Sequence, residues 1–259
     1  MAIEESQISD SVSAISCGRF EDERLPDLPI GCYCCQVTYM DGLIYSIGGH
    51  DGRSTLRTTY IYDTQTEAWG PGPSMSSARY QHGIATFEGC IYVLGGHSGS
   101  GVLATVECLR TDASVWCRVR SMHRKRWYTS ATVFEQKICV VGGCNQSALQ
   151  SVETFDPKTG EWKNLPDMNF ARVGAVAAGW TRVADMHRER FGGRLFVHIH
   201  SLFVVGGLRS EATVERYDPE RDRWVLLPDQ TKTCRWSFGA TLIPRKLLHL
   251  CFVKRNWWK

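Results

Sequence analysis

The sequence predicts an all-β protein assembled from a repeated unit of four short strands, and three observations predict it. First, paired glycines close short apolar runs at Gly48-Gly49, Gly95-Gly96, Gly142-Gly143 and Gly206-Gly207, after Leu43–Ile47, Cys90–Leu94, Ile138–Val141 and Leu202–Val205. Second, each pair is followed by a tryptophan, Trp69, Trp116, Trp162 and Trp224, at offsets of 21, 21, 20 and 18 residues from the first glycine. Third, a second strand-like segment lies between glycines and tryptophan: Thr59–Asp63, Val106–Leu109, Val152–Asp156 and Val214–Asp218. Turn residues follow it, as in Asp156-Pro-Lys-Thr-Gly160, where proline and glycine set turn geometry. Helical periodicity is absent from these segments.

The elements follow in the order of the chain. Each unit opens on an arginine that begins its first strand: Arg79, Arg126 and Arg172 stand 10 residues beyond the preceding tryptophan, and Arg235 stands 11 beyond. Unit one has Cys32 at that place. The second strand runs into the paired glycines, which suit a point where a side chain would clash or φ must be positive. The third strand ends in an Asp-anchored turn. The fourth carries the tryptophan, a large packing surface whose N–H needs an acceptor. A unit of this size cannot bury both faces alone and requires stacked neighbours.

Gly-Gly, then Val-Glu-x-(Tyr/Phe)-Asp, then Trp, then Pro-x-Met (Pro73-Ser-Met75, Pro166-Asp-Met168) resembles the kelch repeat over residues 30–240. The resemblance implies a β-propeller with one four-stranded blade per repeat, in a family whose rings hold about six blades. The expected fold is therefore a kelch-type β-propeller with about four complete blades, partial blades at both ends and an incomplete ring. Residues 1–24 are expected to be disordered, 25–243 to form the blades, and 244–259 to be a tail outside the repeat pattern. Leu25–Pro29 reads as the end of a preceding blade that lost its tryptophan. Arg172 to Gly206 spans 34 residues, against 16 from Arg79 to Gly95 and from Arg126 to Gly142, so an insertion is placed at 181–198. A fifth unit starts at Cys234–Ile243, but the glycines due at 251–252 are Cys251 and Phe252.

Composition narrows the function classes. The chain has 259 residues, 30 Lys+Arg against 27 Asp+Glu and a formal charge of +3. No basic run marks a nucleic-acid or membrane-surface binder. No apolar run reaches the roughly 18–20 residues of a membrane span, and residues 1–10 lack the basic and apolar regions of a secretory signal. The expected location is cytoplasmic, with the 11 cysteines mostly free thiols. No phosphate-loop motif or G-x-S-x-G nucleophile elbow occurs. Cys32 and Cys35 lack the second ligand pair of a zinc site and read as strand hydrophobes. His187, His198 and His200 have no supporting ligand set. Cys144, in a glycine loop, reads as an inert thiol. No cofactor or metal is expected, nor enzymatic activity.

The resemblance implies a partner surface where the glycine loops emerge. Matching positions are His50, Asp51 and Arg53, His97 and Ser98, Asn145 and Gln146, and Arg209. The unit openings Arg79-Tyr80, Arg126-Trp127, Arg172 and Arg235-Trp236 match positions facing the same mouth. An arginine ring would suit an acidic, carboxylate-bearing peptide, with Tyr and Trp as hot spots. The competing role for the arginines is structural, satisfying carbonyls and carboxylates of the blades. The expected function is a substrate-recognition propeller of the kind found in cullin-type ubiquitin ligase adaptors. Residues 1–30 leave no room for the BTB domain that many such chains carry. Alternatives are an actin-binding kelch protein and, third, a copper-radical oxidase, whose Tyr, Cys and His ligand set finds no match here.

Overall fold

The computed structural model describes residues 12–16, 22–173, 184, 186–187, 194–198, 201–205, 213–227, 240–243 and 249–253. Its strands in chain order begin with β1 (Val12–Ser16) and β2 (Asp22–Leu25). Blade 1 is β3 (Gln36–Met40), β4 (Leu43–Ile47), β5 (Thr59–Asp63) and β6 (Ala68–Pro71), and blade 2 is β7 (Gly83–Phe87), β8 (Cys90–Leu94), β9 (Val106–Arg110) and β10 (Val115–Val119). Blade 3 is β11 (Ser130–Phe134), β12 (Lys137–Val141), β15 (Val152–Asp156) and β16 (Glu161–Leu165), with a small hairpin β13 (Cys144–Asn145) and β14 (Ser147–Ala148) in its glycine loop. Blade 4 is β17 (Arg194–His198), β18 (Ser201–Val205), β19 (Val214–Asp218) and β20 (Arg223–Leu226), followed by β21 (Ala240–Ile243) and β22 (His249–Val253). Each blade is an antiparallel meander in sequence order.

The fifth sheet is composite. Its order is β2-β1-β22-β21, with Val12 opposite Val253 and Ser16 opposite His249. Two strands from each end of the chain thus make one blade. The expectations of disorder through residue 24 and of a tail outside the blades do not hold at these strands. At Cys251 and Phe252, where the glycines were due, β22 continues as a strand, with Cys251 opposite Ala14 and Phe252 opposite Ser13 of β1. Leu25 ends the outer strand of this blade, as expected for the close of a preceding unit. The insertion placed at 181–198 is also corrected: Arg194–His198 is the innermost strand of blade 4, and Ala184 and His187 bond into that blade.

Innermost strands of neighbouring blades lie side by side at β3 with β7, β7 with β11, β17 with β21 and β21 with β3. This is a propeller, and its core lies between blade faces. Tyr45, Ile47 and Met75 of blade 1 pack on Ile91, Val93, Leu109 and Trp116 of blade 2. Phe87, Tyr92, Leu94 and Met122 pack likewise on Ile138, Val140, Phe155 and Trp162 of blade 3. Among the described residues no helix is long and apolar enough to cross a membrane.

Two repeated residues explain the local geometry. Each tryptophan Nε1–H donates to a carbonyl just before its own blade: Trp69 to Pro26 (2.9 Å), Trp116 to Pro73 (3.0 Å), Trp162 to Arg120 (2.8 Å) and Trp224 to Ala184 (2.8 Å). The first glycine of a pair is required at Gly95, where φ is +64° and a Cβ would sit 2.3 Å from the Arg126 carbonyl oxygen. Gly206 and Gly207 lie outside the described residues. Gly95→Ala is expected to lower stability by more than the ~1 kcal/mol usual for a left-handed site, because the clash is with backbone. Trp162→Phe, which removes one hydrogen bond and part of a buried ring system, is expected to cost more than the ~1 kcal/mol of the hydrogen bond alone. Urea unfolding of each variant checks both.

Candidate functional site

The unit-opening arginines are joints between blades. The Arg79 backbone belongs to blade 1: its N–H donates to the Leu56 carbonyl at 3.0 Å, and its carbonyl accepts from Gly49 N–H at 2.9 Å. Its guanidinium belongs to blade 2. It donates to the Gly95 carbonyl (2.7 Å), the Thr105 carbonyl (3.1 Å) and Glu107 Oε1 (2.6 Å). Arg126 repeats this one blade later, with Gly142 O at 2.7 Å, Ser151 O at 3.0 Å and Glu153 Oε1 at 2.6 Å. Both side chains of each pair are 0% exposed.

This corrects the reading of Arg79 and Arg126 as partner-binding residues. Their donors are turned inward, and a peptide cannot reach them. The glutamates also accept backbone N–H groups of the preceding linker: Ser76 to Glu107 (2.7 Å), His123 to Glu153 (2.7 Å) and His187 to Glu215 (2.8 Å). Blade 1 lacks both members of the pair, with Cys32 in the arginine place and Tyr60 in the glutamate place. Losing both together leaves no buried charge unpaired. Sequence reasoning passed over Glu107 and Glu153 as members of a strand motif. The signal was that concerted absence in blade 1.

The surface remaining where the glycine loops emerge is aromatic. The residue after each opening pairs in an isolated antiparallel bridge with the residue after each glycine pair: Tyr33 with His50, Tyr80 with His97, Trp127 with Cys144. Their rings form a continuous strip. Centroids are 5.1 Å apart for Tyr33–His50, 5.7 Å for His50–Tyr80, 5.4 Å for Tyr80–His97, 5.2 Å for His97–Trp127 and 4.8 Å for Trp127–Tyr128. All six residues are half-buried, so each keeps an accessible edge. His50 Nδ1 accepts from Gly52 N–H at 2.9 Å and His97 Nδ1 from Gly99 N–H at 3.0 Å. The neutral tautomer therefore carries its proton on Nε2 in both. Tyr33 and Tyr128 were not singled out in the sequence, although Tyr33 has the same register as Tyr80 and Trp127.

Of the other expected positions, Arg53 is exposed beside this strip, and its N–H caps the Asp51 carboxylate at 2.7 Å. Asn145 is half-buried in the β13–β14 hairpin. Arg172 is exposed on blade 3, away from any following arginine joint. Arg209, Arg235 and Trp236 lie outside the described residues.

Burial raises the Glu107 carboxyl, but the Ser76 N–H and the Arg79 guanidinium more than offset it and hold it below the usual carboxylate range. Burial lowers the Arg79 guanidinium, against the upward pull of Glu107. Glu107 therefore stabilises the fold above the unfolded carboxylate value of about 4.3. That contribution is lost as pH falls through its lower folded value. The urea midpoint is expected to drop on acidification below about pH 4, and Glu107→Gln is expected to flatten that drop. Denaturation curves at successive pH values check it.

Comparison with known proteins agrees with this geometry. The model of the KLHDC2/KLHL20/DRC7 Kelch-repeats domain matches residues 23–207, and that of the Kelch motif matches residues 200–231. No curated protein matches the chain. Among solved structures, that of YjhT is similar at 16% identity and a TM-score of 0.56, covering 84% of this chain and 72% of that one. At that identity the likeness is one of fold.

Proposed function

The chain belongs to the kelch-repeat family, and from that premise we propose that it binds a protein segment on the aromatic strip from Tyr33 to Tyr128, as a substrate-recognition propeller of the cullin-type ubiquitin ligase adaptor kind. Kelch propellers are typically protein-interaction modules, and the match to that family supports this reading. The observation carrying the proposal is the strip itself: six half-buried rings in contact across three blades, positioned by backbone bridges. Aromatic groups held this way offer large contact area at small entropic cost.

The strip favours an extended segment with apolar or aromatic side chains. An acidic segment loses its main support once Arg79 and Arg126 are internal, although Arg53 remains at the edge. The role is binding without catalysis.

Affinity capture from lysate by the immobilised chain, repeated with Trp127→Ala and with His97→Ala, tests the proposal. Loss of the same captured protein with both variants, at unchanged melting temperature, is expected. Truncating a hot spot costs about 2 kcal/mol or more, so affinity for the captured protein should fall at least tenfold. Capture unchanged by both variants would contradict the proposal. In co-sedimentation with actin filaments the chain is expected to stay in the supernatant.

A further inference from the structure

Two blade openings stand in succession between blades 3 and 4. In blades 1 and 2 a methionine follows the tryptophan by six residues and an arginine follows the methionine by four: Trp69, Met75, Arg79, then Trp116, Met122, Arg126. The same spacing occurs twice after blade 3, as Trp162, Met168, Arg172 and again as Trp180, Met186, Arg190. Two residues past each arginine stands Gly174 or Gly192. At that position Cys34, Gln81 and Tyr128 all have a positive φ, which glycine adopts freely.

The structure fixes which set opens blade 4. Ala184 O accepts from Trp224 Nε1, and His187 N–H donates to Glu215, as Arg120 and His123 serve Trp162 and Glu153. Arg190 is also 16 residues before Gly206, the spacing of Arg79 to Gly95. Arg172 therefore opens a different unit, of which only the beginning and the closing tryptophan remain. From opening arginine to tryptophan is 37 residues in blade 2, 36 in blade 3 and 34 in blade 4, but 8 from Arg172 to Trp180.

The consequence is visible on blade 3. The Arg172 backbone is placed as in the other joints, with N–H to the Leu149 carbonyl (3.1 Å) and its carbonyl accepting from Gly143 (2.8 Å). Its side chain is exposed and meets no carboxylate among the described residues. Apolar clusters join blade 1 to blade 2 and blade 2 to blade 3. Those of blade 3 (Cys139, Val141, Val152, Leu165, Met168) and blade 4 (Val204, Tyr217, Trp224) each stay within their own blade among the described residues. Phe87 is 9% exposed against blade 3, whereas Phe134, its counterpart one blade on, is 38% exposed and Phe170 is 71%.

We propose that the face of blade 3 around Arg172 and Phe134 is a docking site for a β-hairpin donated by another polypeptide, one carrying a glycine turn and an apolar-Glu-x-apolar strand whose glutamate pairs with Arg172. The chemistry of the occupant is set by the two internal examples, in which the same arginine meets glycine carbonyls and a glutamate, and the same apolar face meets a neighbouring strand pair. The site is separate from the aromatic strip and does not rest on the function proposed for it.

The probe is a synthetic peptide of residues 134–161, the blade 3 counterpart of the stretch missing from the sequence between Arg172 and Trp180. Calorimetry on the full chain is expected to show saturable 1:1 binding, with a rise in melting temperature. Arg172→Ala in the chain, or Glu153→Ala in the peptide, should each weaken it at least tenfold. Arg172→Ala should leave the melting temperature of the free chain unchanged. A second variant, with the same 28 residues inserted before Trp180, is expected to melt higher and to lose peptide binding. A peptide that does not bind, or that binds wild type, Arg172→Ala and the insertion variant alike, would overturn the proposal.

Discussion

A buried arginine–glutamate pair organises this propeller. One residue bonds through its backbone to the blade it leaves and through its guanidinium to the blade it enters, so Arg79 joins blades 1 and 2 and Arg126 joins blades 2 and 3. Desolvating two charges is expensive, and such a pair earns its place only when its geometry is good and further hydrogen bonds take up most of the remaining donors and acceptors. Here the carbonyls of Gly95 and Thr105, the linker N–H of Ser76 and their counterparts in blade 3 supply most of those partners, and within the two pairs only the Nε–H of Arg79 and of Arg126 is buried without a hydrogen-bond partner. Apolar packing between blade faces adds area but little directional information. The ion pair adds register, because the glutamate also receives the linker that delivers the arginine.

That joint positions the surface used for recognition. The residue after each arginine, Tyr80 or Trp127, pairs with the residue after the next glycine pair, His97 or Cys144. One residue further, Gln81 N–H donates to the Cys34 carbonyl and Tyr128 N–H to the Gln81 carbonyl, both at 2.9 Å, so successive blades are laced together at the rim. Cys34, Gln81 and Tyr128 hold left-handed backbone conformations, with φ of 56°, 53° and 51°, which non-glycine residues adopt only where the surroundings enforce them. The aromatic strip is therefore held on a stiff frame, as a binding surface with little ordering cost requires.

Much of this was legible in the sequence, and the remainder fails for identifiable reasons. The glycine pairs and tryptophans announced the blades because each has one steric or hydrogen-bonding job, repeated in phase. The arginines were legible as positions but not as roles, since an arginine spacing does not say which way a side chain points. Blade 1 held the missing clue, in Cys32 and Tyr60 replacing both partners at once. The composite sheet was illegible because its strands pair across the whole length of the chain, Val12 with Val253, and carry no glycine or tryptophan signature. The extra residues before blade 4 were misplaced by counting from Arg172. The bonds of Ala184 and His187 to blade 4 move the opening to Arg190 and explain why Arg172 is left facing outward.

The most direct test of the account is a double-mutant cycle on the buried pair, with Arg126→Met, Glu153→Leu and the combination compared by urea unfolding. Each single change strands a buried charge and is expected to cost about 3–5 kcal/mol. The double variant, resembling what blade 1 already does, should cost much less than the sum, which gives a large coupling energy. Additive losses would mean that the two residues act independently, and that the joint between blades lies elsewhere.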